Sequence, residues 1–301
     1  MSTDLDFSDI LFSGGSGRSG TTVVGKMIGR HPDVQVAVPL EIKFLTAGNG
    51  LLDLAGGRKF HKNGKPILRR DGNLRLFEKA ALNKWWIVES KSKEKTGLHL
   101  GIDRDYLEQL LEELRENCSS DQVSASRIFF RKFVDSQLAK RNRSRWIDTT
   151  PPNLMRSSEI VSLLPGAKFI HMIRDGRDVA CSVVREKWGP SEHFEALEWW
   201  RERLLKVINE SKKNPEMILH VWLEDLIHFD REGSFNRILT FSNLSEAPAM
   251  RRYFEEEMQP KAAHSNRWQS EVKRAKSFSK RYEEIYEELV ESGLPKLKMQ
   301  F

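Results

Sequence analysis

Between residues 14 and 22 the chain reads Gly14-Gly15-Ser16-Gly17-Arg18-Ser19-Gly20-Thr21-Thr22. Small residues in such a run let successive backbone N–H groups converge on one anion, and a helix that starts just after the turn adds the partial positive charge of its N-terminus. Gly15 and Gly20 have the spacing of the two glycines in a nucleoside-triphosphate P-loop, but Thr21 stands where that loop carries its lysine. The segment therefore predicts a phosphate-like ligand and speaks against ATP hydrolysis, with Arg18 supplying charge from another direction. A second candidate lies in Lys168-Phe169-Ile170-His171-Met172-Ile173-Arg174-Asp175-Gly176-Arg177-Asp178. It places Arg174 at the C-terminal end of an apolar run, and in an open α/β sheet ligands bind at that edge of the strands. Ser182, about two turns down the helix that follows, can face the same side. An arginine fork and a hydroxyl converging there would hold a second phosphate.

Elements able to position these residues can be read along the chain. Ile10–Ser13 is a short strand that runs into the glycine-rich turn. Val23, Val24, Met27 and Ile28 then recur at helical spacing until His31-Pro32. Val34–Val38 is a second strand, stopped by Pro39. A Gly- and Lys-rich stretch from Asn49 to Asp71 reads as a loop or an added element. Tyr106–Leu114 and Ile128–Ala139 read as helices, Arg145–Asp148 as a strand, and Pro151 or Pro152 is placed to open the next helix, which Pro165-Gly166 ends. Lys168–Ile173 is a buried-type strand that turns into a helix over Arg177–Lys187. A long amphipathic helix with Trp199 and Trp200 follows, then a last strand over Met217–Leu223 and a mostly helical remainder. Strands alternating with helices predict an α/β fold with a mainly parallel central sheet flanked by helices.

Composition narrows the function classes. The 301 residues carry 49 Lys plus Arg against 43 Asp plus Glu, 39% hydrophobic and 31% charged residues, an ordinary globular balance and not a disordered one. The excess charge of +6 is interleaved with acids instead of gathered in a stripe, so nucleic acid is not an expected partner. No apolar run approaches the roughly 18 residues of a membrane span. The polar N-terminus lacks the pattern of a secretory signal, and two cysteines are too few for a disulfide framework. The expected location is cytoplasmic. We expect one domain over residues 1–301 carrying a large insertion. The sequence sets no oligomeric state.

The loop Gly15–Thr22, the segment Trp146-Ile147-Asp148-Thr149-Thr150-Pro151 and the stretch Phe169–Ser182, in this order and spacing, resemble the sulfotransferase family. The resemblance spans roughly residues 8–47 and 144–270 and is nearest to the bacterial and tyrosylprotein-type branch, whose loop has Arg-Ser-Gly-Thr-Thr. It implies a P-loop-containing, sulfotransferase-like fold, with a helical insertion at 48–130 that covers the acceptor pocket, and the cofactor 3′-phosphoadenosine-5′-phosphosulfate (PAPS), which leaves as adenosine 3′,5′-bisphosphate. By the same resemblance Gly17, Arg18, Ser19, Gly20, Thr21 and Thr22 would hold the 5′-phosphosulfate. Arg174 and Ser182 would hold the 3′-phosphate, and Arg267-Trp268 would belong to the late segment closing over the cofactor. Three positions depart from the pattern: Thr149 where relatives have a lysine, Leu223 where they have a tyrosine, and Glu186 (next to Arg185) where they have a second arginine.

Sulfuryl transfer resembles phosphoryl transfer in its demands, with in-line attack and charge growing on the leaving oxygen. Cations and backbone donors at that oxygen would do most of the work, with Arg18 the first candidate and Lys43 a weaker one. A hydroxyl acceptor also needs a base. Glu41 follows the second strand and Pro39, would face the glycine-rich loop if the first two strands are neighbours, and matches the catalytic glutamate of the tyrosylprotein-type branch. Among the histidines, His31 reads as a helix terminus and His171 as a strand residue, which leaves His264, near the closing segment, as the one worth testing. No Cys or His cluster has metal-ligand spacing, and no metal is expected. The acceptor could be a small molecule, carbohydrate, lipid or peptide hydroxyl. A P-loop small-molecule kinase is the alternative, against which Thr21 counts.

Overall fold

The computed structural model describes residues 5–56, 70–89, 94–263 and 265–298. Seven strands are present among them: β1 (Ile10–Gly15), β2 (Val34–Val36), β3 (Val88–Glu89), β4 (Lys95–Thr96), β5 (Arg145–Asp148), β6 (Lys168–Ile173) and β7 (Ile218–Trp222). Five form one sheet in the order β2-β5-β1-β6-β7, and β3 and β4 pair separately. All four pairings in the large sheet are parallel, in registers such as Ile10 with Trp146, Leu11 with Lys168 and Phe169 with Ile218. From β1 the chain first builds outward to β2 and then back through β5, so the direction of growth reverses between β1 and β6. Ligands bind at such a switch point, outside the C-terminal strand ends. The glycine-rich loop leaves β1 there, and Arg174 leaves β6 beside it.

The alternation of side chains along each strand distributes the core to both faces. Phe12, Trp146 and Phe169 share one face, with Phe12 stacked on Phe169 at 5.0 Å and edge-on to Trp146 at 6.4 Å. Leu11, Ile147 and Ile170 share the other. Helices Arg104–Cys118, Gln122–Ala139 and Ser157–Leu163 cover the first face, and helices Thr21–Ile28, Arg231–Ser242 and Pro248–Glu257 cover the second. A third apolar cluster joins the helices Gly176–Val183, His193–Ser211 and Ala275–Glu291 beyond the β6 and β7 ends. The expected α/β architecture is the observed one.

Several boundaries differ from the sequence reading. The helix expected over Arg177–Lys187 stops at Val183. The chain turns at Glu186–Gly189, where Gly189 N–H donates to the Glu186 carbonyl at 3.1 Å, and a side chain at Gly189 would collide with Val183. The segment after Pro151 is one tight turn of helix (Pro151–Arg156) before the regular helix begins at Ser157. Within the expected loop 49–71, Leu51–Ala55 is helical, while residues 57–69 lie outside the described residues. The helix Arg70–Lys79 and the β3–β4 pair were not foreseen: Gly72 obscures the helical pattern, and two-residue strands are too short to show alternation.

Candidate active site

The glycine-rich loop turns on three left-handed residues: Gly17 and Gly20, both at φ 93°, and Arg18 at φ 60°. Glycine adopts this conformation freely, whereas a residue with a Cβ loses on the order of 1–2 kcal/mol there. Holding Arg18 in it aims the carbonyl and the side chain in different directions, and both are gripped. The Arg174 guanidinium donates to the Arg18 carbonyl at 3.2 Å, and Arg18 Nε donates to Ser182 Oγ at 2.8 Å. Gly20 precedes the helix Thr21–Ile28 with no side-chain cap, so no capping side chain occupies the first N–H groups of that helix. Ser19 takes a different place from its neighbours. It is fully buried under the loop, its Oγ lies only 2.7 Å from where a Gly15 Cβ would stand, and it has no hydrogen-bond partner among the described residues.

Arg174 and Ser182 do converge on the glycine-rich loop. With Arg18, Gly20, Val23, Arg185, Glu186, Leu223, Ile227 and Arg267 they line a cavity of about 340 Å³. Arg174 also donates to the Ala263 carbonyl at 2.5 Å, which holds Ala263 against the loop. From the next helix the Asp178 carboxylate accepts the Asn266 and Arg267 N–H groups at 3.0 and 3.2 Å. Burial raises the Asp178 carboxyl, as does the neighbouring Asp175. Nε of Arg174 and Nε of Arg267 are both buried without a partner. Two orphaned guanidinium donors on one cavity fit a multiply charged anion. Trp268 stands apart from this cavity: the Arg177 guanidinium lies 4.5 Å from its ring centre and 4.3 Å from that of Tyr282, so its contacts fasten the closing segment instead of lining the pocket. His264 lies outside the described residues.

Glu41 reaches the loop by a route the sequence did not suggest. β1 and β2 are not neighbours, because β5 lies between them. Glu41 nevertheless lines a cavity of about 560 Å³ together with Gly17, Arg18, Gly20, Thr21, Thr22 and Arg174. The end of β5 holds it there. Asp148, fully buried, accepts the Ile42 N–H at 2.7 Å, while Thr149 N and Oγ1 donate to the Leu40 carbonyl at 3.2 and 2.8 Å. Gln137 clamps both backbone polar groups of Val38, just before the cis Val38–Pro39 peptide. Beyond Glu41, Phe44 packs edge-on against Phe77, Phe129, Phe130 and Phe133, four rings within 6.3 Å. With Ile42 and Phe44 buried, Glu41 and Lys43 alternate to the other side. Both line a second hollow of about 270 Å³ with Thr22, Leu40, Trp85, Val88 and Leu98, and it shares Thr22 and Glu41 with the first.

Burial raises the Glu41 carboxyl above the ordinary glutamate range, and Lys43 partly offsets this. Asp148 is pushed up to about 7, chiefly by burial, against hydrogen bonds from the Ile42 N–H and from Thr150 that lower it, with Glu41 adding repulsion. Glu224, which accepts the Asp175 N–H, is pushed to about 8 by burial and Asp175. The positions that depart from the family pattern now have places. Thr149 is fully buried, its methyl lying where a Gly25 Cβ would stand, and it fastens Leu40 instead of entering the cleft. Leu223 and Glu186 line the cavity of Arg174, and Arg185 pairs with Glu271 at 2.6 Å.

The described histidines singled out in the sequence serve packing. His31 Nδ1 accepts the Asp33 N–H, which closes the turn after the first helix. His171 pairs with His220 across β6 and β7 at 2.8 Å, and burial lowers both rings. Burial also pushes the Cys181 thiol up to about 12. Cys181, His193 and Glu271 bring donor atoms within 4.8 Å of one another from three helices, a grouping that linear spacing could not reveal.

The sulfotransferase family pattern matches residues 11–248 of the chain. The chain belongs to the sulfotransferase family, whose enzymes are PAPS-dependent, and this sets the kinase alternative aside. A Caenorhabditis briggsae protein that carries the name of a protein-tyrosine sulfotransferase is 24% identical over 259 residues, 83% of this chain and 71% of the relative. The sulfotransferase domain from the Synechococcus PCC 7002 olefin synthase superposes with a TM-score of 0.50 at 16% identity, over 99% of this chain and 98% of that domain. Sulfotransferase STF9 from Mycobacterium avium gives 0.51 at 12% identity, over 99% and 80%. These structural likenesses show a common fold. Among the described residues no helix is long and apolar enough to cross a membrane.

Proposed function

We propose that this enzyme moves the sulfuryl group of PAPS to a hydroxyl of an acceptor that enters beside Glu41. The observation that carries the reading is the meeting of the two cavities on Arg18, Gly20 and Arg174, with Glu41 on the far side of one and Arg267 on the far side of the other. The smaller cavity would hold the nucleotide. Arg174, Arg267 and Ser182 would grip its 3′-phosphate end, and Leu223, Ile227 and Val23 offer apolar contact for the base. The backbone of Gly17 to Thr22 and the first turn of the following helix would receive the 5′-phosphosulfate.

PAPS supplies an activated sulfuryl group and a stable leaving phosphate. Arg18, fixed by Ser182, would place positive charge where the leaving oxygen becomes negative. Glu41, ionised and confined by its backbone anchors, would take the proton of the attacking hydroxyl. Nothing in this scheme calls for a metal. The insertion over 48–130 would close the acceptor side, since Trp85, Val88 and Leu98 come from it.

Thermal denaturation tests the reading directly, because a ligand that binds only the folded state raises stability with the logarithm of its concentration over Kd. Adenosine 3′,5′-bisphosphate at about 100 times its Kd is expected to add about 2.7 kcal/mol, and ATP with magnesium is expected to add little. A larger shift with ATP would overturn the proposal. Transfer of labelled sulfate from PAPS to a panel of phenols, alcohols and sugars then identifies the acceptor.

A further inference from the structure

On the acceptor side of the cleft lies a cation that the scheme above leaves unused. Arg203, on the helix His193–Ser211, lines the same 560 Å³ cavity as Glu41 and the glycine-rich loop. Among the described residues it has no ion pair. Its side chain makes one weak hydrogen bond, 3.6 Å to Met155 Sδ, and the carboxylate acting on it is its sequence neighbour Glu202. The guanidinium instead lies over Trp199, 4.1 Å from the ring centre. Trp199 in turn meets Trp188 at 5.8 Å, and the tips of both indoles reach towards Gly17 of the loop. Trp188 is 56% exposed, the most exposed large apolar side chain among the described residues.

Each of these features runs against what folding alone favours. A half-buried arginine without a carboxylate forfeits hydration with no ion pair in return, and an exposed indole gains nothing from water. Placed side by side at the mouth of a reactive cleft, they form a shelf with one apolar plane and one forked cation. The fork is preorganised by the ring beneath it for a planar or tetrahedral oxyanion. Arg18 and Arg174 face the same cavity but already hold Ser182, the loop carbonyl and the Ala263 carbonyl, and the remaining donor of Arg174, its buried Nε, serves the nucleotide in the proposed scheme. Glu41 and Glu186 are the acidic groups on that wall, so a negatively charged visitor finds Arg203 as its uncommitted partner.

We propose that Arg203, with Trp188 and Trp199, forms a subsite for a negatively charged group (carboxylate, sulfate or phosphate) carried by the acceptor. This rests on the reading of the Glu41 cavity as the acceptor side, and it names the acceptor as an anion with an apolar body.

Calorimetric titration of the protein with matched phenols, in the presence and absence of adenosine 3′,5′-bisphosphate, tests it without needing turnover. The pairs are 4-hydroxyphenylacetate with its amide, 4-hydroxybenzenesulfonate with its sulfonamide, and 4-hydroxybenzylphosphonate with its dimethyl ester. Their ranking also separates carboxylate from sulfate- or phosphate-like groups. At least one anion is expected to bind about tenfold or more tightly than its neutral partner. Arg203→Gln is expected to erase that preference while leaving the neutral phenols and the bisphosphate nucleotide unchanged. Trp188→Ala should weaken both members of each pair equally. The subsite is refuted if no anion is preferred, if the preference survives Arg203→Gln, or if that substitution weakens the nucleotide instead. Should the nucleotide fail to bind while the anion preference appears and vanishes with Arg203, the subsite stands and the sulfuryl-transfer reading falls.

Discussion

The two sides of the cleft are built by different means. On the side proposed for the nucleotide the charged groups hold one another and the backbone: Arg18 is bound to Ser182, Arg174 to the Arg18 and Ala263 carbonyls, and Asp178 to the N–H groups of Asn266 and Arg267. On the acceptor side Glu41 and Lys43 make no side-chain hydrogen bond among the described residues. What is fixed there is the main chain, through Asp148, Thr149 and Gln137, and the apolar neighbours Ile42 and Phe44. A site that recognises one unvarying nucleotide gains from preassembly, since less ordering remains to be done on binding. A site that must release a proton from a visiting hydroxyl instead needs a base whose hydrogen-bonding capacity is not already spent.

This division predicts that damage on one side leaves the other intact. The largest effect is expected from Glu41→Ala. Positioned bases contribute ~10²- to 10⁴-fold, so single-turnover sulfuryl transfer should fall by that factor. The affinity for adenosine 3′,5′-bisphosphate should stay within twofold or so of wild type, because Glu41 does not line the nucleotide cavity. If transfer persists near the wild-type rate, Glu41 is not the base. If nucleotide affinity collapses with it, the two sides are not separable in the way the contacts indicate.

Arg174→Met should produce the converse, a loss of ~10- to 100-fold in nucleotide affinity, the worth of one or two hydrogen bonds to a charged group. The Ala263 carbonyl loses its donor in the same variant, so protection of the 260–263 backbone from hydrogen exchange should fall as well. The pH dependence of transfer at saturating PAPS should be unaltered. An Arg174→Met protein that binds the nucleotide normally would remove the second anion site from the scheme.

The same division explains what could be read in the sequence. Arg18 and Arg174 sit within a few residues of strands β1 and β6, Ser182 lies about two turns down the helix that follows β6, and the parallel sheet carries both strand ends to one edge. The spacing thus contained the geometry. Glu41 was legible as a residue but not as a position: the premise that β1 and β2 are neighbours fails, and what places Glu41 is a set of contacts to β5 and to Gln137, about a hundred residues away along the chain. Phe44 meets rings from two other helices, and nothing local announces them. Thr149 in the lysine position was visible as a substitution, but its use as a backbone anchor packed against Gly25 depends on the closeness of two elements far apart in sequence. Arg203 lay unremarked in an amphipathic helix where arginines are ordinary, because its lack of an ion pair among the described residues is a three-dimensional property.

Lys43 offers the finest probe of the acceptor side. Burial lifts the Glu41 carboxyl and Lys43 lowers it, so the two effects oppose. A general base works ionised. The transfer rate should therefore climb as pH rises through the pKa of Glu41 and level off above it, with the midpoint above the ordinary glutamate value. Lys43→Met removes the lowering influence and leaves the burial, so the rising limb should move to higher pH, with the plateau rate little changed. Lys43→Arg keeps the charge and should keep the limb near its wild-type place. Lys43 is exposed, and an exposed charge is screened over a Debye length of about 8–10 Å at ordinary ionic strength. Raising the salt should accordingly carry the wild-type limb towards that of Lys43→Met while leaving the variant in place. A limb that moves to lower pH in Lys43→Met, or one indifferent to both the substitution and salt, would mean that the group titrating in the reaction is not the carboxylate beside Lys43.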